Sequence, residues 1–263
     1  MIWPADRSPA GAPFGTAGPL ATFASLVLLL SSPFWLAAEL WQLELLPGLP
    51  VSAMMAICPA AAAWILRPEN PRALFGAACD IDRIRSPLWL TVGLVLMPAL
   101  AVASHLLLTA FGASPPPFRF QPLAAAGMAF AFLVGAGLEE LGWSRYAVKV
   151  AAGRLSELRL GGLLGITTAL WHVVPYLQAD RSWNWILWQC LFTVAFRLIL
   201  LRLYIGSGRS LCAVVLCHAS ANLAVFMSPV AGSHYSPALM FALTFAAALL
   251  MTRRSGSPPA EVG

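Results

Sequence analysis

Five polar side chains attract attention because they lie within or at the end of long apolar runs. Glu139 and Glu140 close one such run, His172 lies in a second, and His218 and Asn222 lie in a third. An ionisable group at membrane depth costs a few kcal/mol or more, so such groups rarely occur there without a role. These five residues are therefore our candidates for chemistry.

Residues of these types support three kinds of chemistry. A glutamate and a histidine can together hold and deprotonate a water molecule when burial and neighbours tune them. A second histidine, with an asparagine, can donate hydrogen bonds to the oxyanion formed at a scissile carbonyl. Two histidines and a carboxylate also match catalytic zinc with water in the open position. The HExxH zinc signature is absent from the sequence, so spacing alone leaves the metal unknown.

Helical spacing adds geometry to this set. His218 and Asn222 are four residues apart, which places both side chains on one helix face. Glu139 and Glu140 point about 100° apart on a helix, so only one can point squarely at a given partner. Gly135 precedes Glu139 by one turn, which favours Glu139 as the carboxylate that faces a crowded interior.

Each candidate also has a purely structural interpretation. Glu140, and less readily Glu139, could reach the interface and pair with Arg145 or Lys149. A single histidine in a membrane helix often only forms hydrogen bonds between helices. Arg197, inside another apolar run, could neutralise a carboxylate across the bundle or reach the interface, and the sequence leaves both open.

The composition indicates that lipid is the solvent for most of this chain. It has 263 residues, of which 59% are hydrophobic and 10% charged, whereas soluble domains are about 45–50% apolar and 25% charged. This length accommodates roughly seven or eight membrane-spanning helices with their connections. The net charge of +5 does not indicate nucleic acid as a partner, because the basic residues form no dense stripe with interleaved aromatics.

The apolar runs predict an all-α bundle of about eight transmembrane helices. The predicted helices are 20–38, 51–66, 87–111, 123–142, 161–177, 183–205, 210–228 and 236–252. We predict a disordered arm over 1–19, one transmembrane domain over 20–252 and a short cytosolic tail over 253–263.

Basic residues in the connections set the predicted orientation. Only Arg119 and Arg181 fall on one side, while the arginines and lysines of the other loops and both termini fall on the opposite side. The positive-inside rule then places both termini in the cytosol. We predict that the chain is a multi-pass protein of the plasma membrane. In that orientation the five candidate residues lie between the cytosolic end and the middle of the bilayer, as one shared cavity requires.

The segment 143–160 differs from the spans because apolar and basic residues alternate along it. It is predicted to lie along the cytosolic interface as an amphipathic helix or a re-entrant loop. Interfacial anchors are predicted at Trp143, Trp171 and the group Trp183, Trp185 and Trp188. Small residues, as in the pair Gly161 and Gly165 and in the series from Gly127 to Gly135, are predicted to permit close helix packing.

Three motifs resemble those of the CPBP intramembrane proteases, which include the CAAX prenyl endopeptidases of the Rce1 type and bacterial Abi proteins. They are Glu-Glu-Leu-Gly-Trp-Ser-Arg-Tyr over 139–146, Ala-Leu-Trp-His over 169–172 and Leu-Cys-His-Ala-Ser-Ala-Asn over 216–222. The resemblance covers about residues 130–225. It implies an eight-helix membrane protease fold with a cavity that opens to the cytosolic side and the membrane.

The resemblance also implies a role for each candidate residue. Glu139 and His172 would activate water, His218 and Asn222 would stabilise the oxyanion, and Glu140 would help to position the site. Family members are often labelled metalloproteases, and a metal-free glutamate mechanism is the rival account. A divalent metal such as zinc is therefore left open as a cofactor.

Two positions depart from the family's usual motifs. An arginine usually follows the tryptophan of the first motif, but here Ser144 does and Arg145 comes one residue later. That shift rotates the side chain by about 100° on a helix, which predicts that Arg145 does not replace the usual partner of the glutamates. Thr168 stands where a phenylalanine often precedes the second-motif histidine.

The leading hypothesis is an intramembrane endopeptidase that acts on a membrane-associated peptide or protein. The alternative is a non-catalytic membrane scaffold or bacteriocin self-immunity factor that keeps the same pocket. A proton-coupled transporter is a third option, weakened because the sequence shows no clear inverted repeat. Neither the natural substrate nor the oligomeric state follows from the sequence.

Overall fold

The computed structural model describes residues 18–46, 49–67, 76, 80–116, 122–152, 154–228 and 234–253. The predicted arm before residue 18 and the predicted tail beyond Arg253 lie outside the described residues. The helices are α1 (Pro19–Trp41), α2 (Cys58–Leu66), α3 (Leu88–Ala110), α4 (Pro122–Glu140), α5 (Ala147–Ala151), α6 (Glu157–Gln178), α7 (Trp183–Gly206), α8 (Leu211–Met227) and α9 (Pro237–Arg253).

Shorter elements join these helices. A 3₁₀ helix, Val51–Ile57, leads directly into α2, and a π-helical turn, Leu141–Tyr146, joins α4 to α5. A further 3₁₀ turn spans Ile81–Arg83. The described part contains one antiparallel pair of very short strands, Glu44–Leu46 with Leu49–Pro50.

The predicted all-α membrane bundle is confirmed, since each of the eight predicted runs carries helix. In the described part, five helices are long and apolar enough to cross a membrane: α1, α3, the continuous segment from α4 to α5, α6 and α7. The other three runs form shorter apolar helices, Val51–Leu66, Leu211–Met227 and Pro237–Thr252. The chain is an integral membrane helix bundle, built largely by pairing α6 with α7, α7 with α9, and α8 with α3 and α4.

The fourth predicted helix does not end at residue 142. The helix of α4 continues through the π-helical turn to Ala151. Trp143, Ala147 and Ala151 lie four residues apart, and all three are buried in a cluster that contains Phe23 of α1. The apolar residues of this segment therefore form one face that packs inward, as in an ordinary spanning helix.

Close helix packing occurs at some of the predicted small residues and not at others. A Cβ atom on Gly165 would lie 2.9 Å from the Cα of Val194, so α6 and α7 approach backbone to backbone here. A Cβ atom on Gly161 would lie 2.6 Å from Leu198 Cδ2. The prediction is wrong for Gly127 and Gly135, where an added Cβ would meet no atom of the described residues within 4 Å.

We expect Gly165→Ala to destabilise the bundle by about 1–3 kcal/mol, because the new methyl group must push apart two packed backbones. Gly162 lies on the same helix and faces open space, so Gly162→Ala is the matched control. That control should leave stability unchanged or raise it by up to about 1 kcal/mol through helix propensity. Thermal unfolding in detergent measures both, and equal effects of the two substitutions would contradict the packing described.

Candidate functional site

Glu140 is the centre of a buried polar network that joins three helices. Its side chain is 0% exposed. Arg197 of α7 donates from Nη1 to both carboxylate oxygens, at 2.9 and 2.7 Å. Nδ1 of His218 on α8 lies 2.8 Å from Oε1, and the Ser144 hydroxyl donates to Oε2. A buried carboxylate is tolerated when it is paired and hydrogen-bonded in this way.

This network decides the alternatives that the sequence left open around Glu140. Arg197 neutralises a carboxylate across the bundle and is itself buried, at 3% exposed. Glu140 does not reach the interface, and its guanidinium partner is Arg197 rather than Arg145. Ser144, the departure from the usual motif, lies in the π-helical turn four residues after Glu140 and contributes a hydrogen bond to the network. Such turns recur at functional sites.

Glu139 lies beside this network without being tied into it. It is 7% exposed, and its Oε2 atom is buried with no hydrogen-bond partner among the described residues. Its carboxylate interacts electrostatically with both His172 and His218. The expectation that Gly135 makes Glu139 the more crowded carboxylate is wrong, since Gly135 faces open space and Glu140 is the more buried of the two.

His172 has its tautomer fixed by the helix that carries it. Nδ1 lies 2.8 Å from the backbone carbonyl of Thr168, one turn earlier on α6. A carbonyl oxygen only accepts hydrogen bonds, so Nδ1 carries the proton. In the neutral ring Nε2 then holds the lone pair and can accept a hydrogen bond or a proton. The Thr168 hydroxyl turns away and donates to the carbonyl of Leu164.

His218 and Asn222 follow each other on one face of α8. His218 is 8% exposed, with Nδ1 bonded to Glu140 and the ring edge-on to Phe196 at 5.7 Å between centroids. Asn222 lies one turn further along, half-buried, and forms no side-chain hydrogen bond with other described residues. Asn222 is related to the site only because it lies on the same helix face as His218. His218 itself is bonded directly to Glu140.

Among the other four predicted site residues, Glu139, Glu140, His172 and His218, some are in direct contact and others interact only through their charges. Glu140 and His218 are in direct contact, and Glu139 interacts through its charge with His172 and His218.

Two of the tryptophans predicted to be interfacial anchors are buried inside the protein. The prediction is wrong for Trp143 and Trp171, because each is only 1% exposed. Trp171 instead donates from Nε1 to the hydroxyl of Ser31 at 2.8 Å.

Sequence reasoning missed a second polar cluster beside the site. The Tyr235 hydroxyl donates to Gln189 Oε1 at 3.0 Å, and both residues are buried. Tyr176 lies next to them and interacts with the Gln189 and Thr193 side chains. Two signals could have indicated it: Gln189 is a polar residue inside an apolar run, and Tyr176 follows His172 by one turn.

The described side chains do not fit a three-ligand metal centre. No group of three histidine, cysteine, aspartate or glutamate side chains lies close enough among them to hold an ion. His218 directs Nδ1 at Glu140, and His172 directs Nδ1 at Thr168. Catalytic zinc sites use three protein ligands with water in the fourth position, so we route no catalytic step through a metal.

Comparison with known proteins agrees with the three motifs. Residues 121–224 match the family model of the type II CAAX prenyl endopeptidases, Rce1-like. CAAX prenyl protease 2 of Methanococcus maripaludis is 33% identical over 96 residues, which are 35% of this chain and 35% of that protein. The match thus spans about a third of the length of this curated relative. The resemblance predicted from the motifs is confirmed over the segment that carries them.

Proposed function

We propose that this chain, which carries an Rce1-like segment over residues 121–224, is an intramembrane endopeptidase for a membrane-associated peptide or protein. The observation that supports this most is the contrast between two adjacent carboxylates. Glu140 is fully engaged by Arg197, His218 and Ser144. Glu139 keeps a buried oxygen with no hydrogen bond among the described residues, and its charge acts on two histidines. A general base needs such an uncommitted acceptor.

In the proposed mechanism Glu139 and His172 activate water. His172 accepts a hydrogen bond from the water at Nε2, and Glu139 takes the other proton as the water oxygen attacks the scissile carbonyl carbon. The carbonyl π electrons move onto its oxygen and give a tetrahedral oxyanion. Collapse of that oxyanion reforms the C=O bond and breaks the C–N bond. Glu139 then returns its proton to the leaving amine nitrogen.

His218 and Asn222 are the proposed donors to the oxyanion. Glu140 accepts the hydrogen bond from His218 Nδ1, so Nε2 donates as well only when the ring is an imidazolium. The Glu140 carboxylate, 2.8 Å from Nδ1, is the counter-charge for that cation. The Asn222 side-chain amide supplies the second donor from one turn further along α8. Each such donor contributes about 10²–10³ in rate in enzymes that use them.

This mechanism uses only side chains of the chain, which makes it testable with a metal chelator. We expect treatment with 1,10-phenanthroline, followed by its removal, to leave the cleavage rate unchanged. The measurement is the initial rate of peptide cleavage by the purified protein before and after treatment. Loss of activity that added zinc restores would contradict the metal-free scheme and favour the zinc-bound water that the sequence left open.

The substrate class follows from the relative and from the membrane setting. The relative's name specifies a CAAX prenyl protease, so a farnesylated peptide ending in a CAAX sequence is the first substrate to test. The basic residues of alternate loops support a plasma-membrane protein with cytosolic termini and a cytosol-facing cavity. Such a cavity would meet a lipid-modified peptide at the membrane surface.

The test uses purified protein in lipid vesicles with three substrates: the farnesylated CAAX peptide, the same peptide without the lipid, and an unrelated transmembrane peptide. Mass spectrometry identifies the products. We expect the wild-type protein, and not the His172→Ala variant, to cleave the membrane-associated peptides. Binding without cleavage of any of the three would contradict the proposal and favour the scaffold or immunity alternative.

A further inference from the structure

Tyr176 lies flat against the ring of His172. The two residues are one turn apart on α6, with ring centroids 5.8 Å apart and planes inclined by 22°. The neighbouring Trp171 meets His172 edge-on, at 4.7 Å and 76°. The imidazole is therefore bounded by an aromatic ring on its face and by a second one at its edge.

Tyr176 is itself held by α7. Its ring meets Trp185 edge-on, with centroids 5.2 Å apart. The side chains of Gln189 and Thr193, one and two turns beyond Trp185, lie near its hydroxyl. The ring contacts with His172 and Trp185 hold this side chain in place.

Gln189 extends the support to the segment before α9. It is 9% exposed, and its Oε1 accepts the hydrogen bond of the buried Tyr235 hydroxyl. A glutamine inside an apolar membrane helix is costly unless its polar atoms are paired. The chain of contacts from Tyr235 through Gln189 to Tyr176 ends at His172, the residue proposed to hold the reacting water.

We propose that Tyr176 is a positioning residue for His172, an inference that rests on the proposed function of the site. The hydrogen bond from Nδ1 to Thr168 fixes the tautomer and one atom of the ring, but one bond still lets the ring tilt about it. The stacked Tyr176 ring fixes the plane and keeps Nε2 directed at the water. Supporting contacts of this kind orient reactive histidines, and a displacement of about 1 Å can cost 10² in rate.

The test separates the ring of Tyr176 from its hydroxyl. Tyr176→Leu removes the stacked ring, whereas Tyr176→Phe keeps the ring and loses only the hydroxyl. We expect Tyr176→Leu to lower kcat about 10²-fold with KM unchanged. Tyr176→Phe keeps the ring, so its kcat should stay close to the wild-type value. Tyr204→Phe is the matched control, since Tyr204 is a buried tyrosine in a core cluster of α7 and should leave kcat unchanged.

Gln189→Leu is a second variant if Tyr176→Leu does not fold, and we expect it to lower kcat about tenfold while KM stays constant. The proposal is overturned if folded Tyr176→Leu, or Gln189→Leu in its place, keeps the wild-type kcat or loses activity only through KM. His172→Ala is the reference in the same assay. If His172→Ala is inactive and the Tyr176 variant is normal, this inference alone fails. If His172→Ala is active, the proposed function fails with it.

Discussion

Replacing Glu139 with glutamine is expected to abolish peptide cleavage while the protein stays folded. The amide has nearly the same shape but cannot take a proton from water, and general-base catalysis contributes about 10²–10⁴ in rate. Stability should stay the same or rise, because Oε2 of Glu139 is buried and forms no hydrogen bond among the described residues that the substitution would remove. The measurements are kcat/KM on the cleaved peptide and thermal unfolding of the same preparation in detergent.

The control for this substitution is Glu157→Gln. Glu157 lies at the start of α6, where it pairs with Arg202 at 3.3 Å in a partly exposed position. The same chemical change there should leave both cleavage and stability close to wild type. If Glu139→Gln cleaves as fast as Glu157→Gln, then Glu139 is not the base and the water-activation scheme is wrong.

Arg197→Met is expected to cost the largest amount of stability of any substitution considered, about 3–5 kcal/mol. It would leave the completely buried carboxylate of Glu140 without its guanidinium partner. The hydrogen bonds from His218 and Ser144 remain, but they do not replace the two bonds from Arg197 that offset the lost hydration of the carboxylate. The free energy of unfolding, or the apparent unfolding temperature in one detergent, measures the loss.

Arg202→Met is a matched control on the same helix. Its ion pair with Glu157 is longer and partly exposed, so its loss should cost only about 0–1 kcal/mol. The double variant Arg197→Met with Glu140→Gln should recover part of the stability that Arg197→Met loses, because it also removes the unpaired charge. Equal destabilisation by Arg197→Met and Arg202→Met would show that the buried network does not hold the bundle together.

The positions of the helices could be predicted from the sequence because the physics that sets them is local along the chain. Long apolar runs and the charged loops between them define most helices to within a few residues, and the exception is the segment that continues past residue 142 to Ala151. The candidate site could be predicted for a related reason. Glu139, Glu140, His172 and His218 are costly at membrane depth. Their grouping in three motifs then distinguishes them from Arg197, which is costly for the same reason.

The connections within the site could not be predicted, because they depend on how each helix is rotated about its axis. Arg197 meets Glu140 across 57 residues of sequence, and nothing in the spacing indicates that partnership. The π-helical turn extends the helix past Glu140 and brings Ser144 back to the carboxylate. Hydropathy gave no sign of that turn, so the continuation of the helix over 143–151 and its inward-packed face could not be predicted.

Which of two adjacent glutamates is the more buried also depends on tertiary packing. Gly135 suggested a crowded face for Glu139, but the helices that approach α4 meet it on the side of Glu140. The outcome leaves Glu139 with an uncommitted oxygen. That unequal engagement of two neighbouring carboxylates is the feature on which the proposed mechanism depends.

The most direct test of the proposed function is cleavage of a farnesylated CAAX peptide in water enriched in ¹⁸O. The wild-type protein in lipid vesicles should give a product whose new carboxyl group carries one ¹⁸O atom from the attacking water, and Glu139→Gln should give no product. Absence of cleavage by the wild-type protein, or equal labelled product from Glu139→Gln, would contradict hydrolysis by Glu139-activated water.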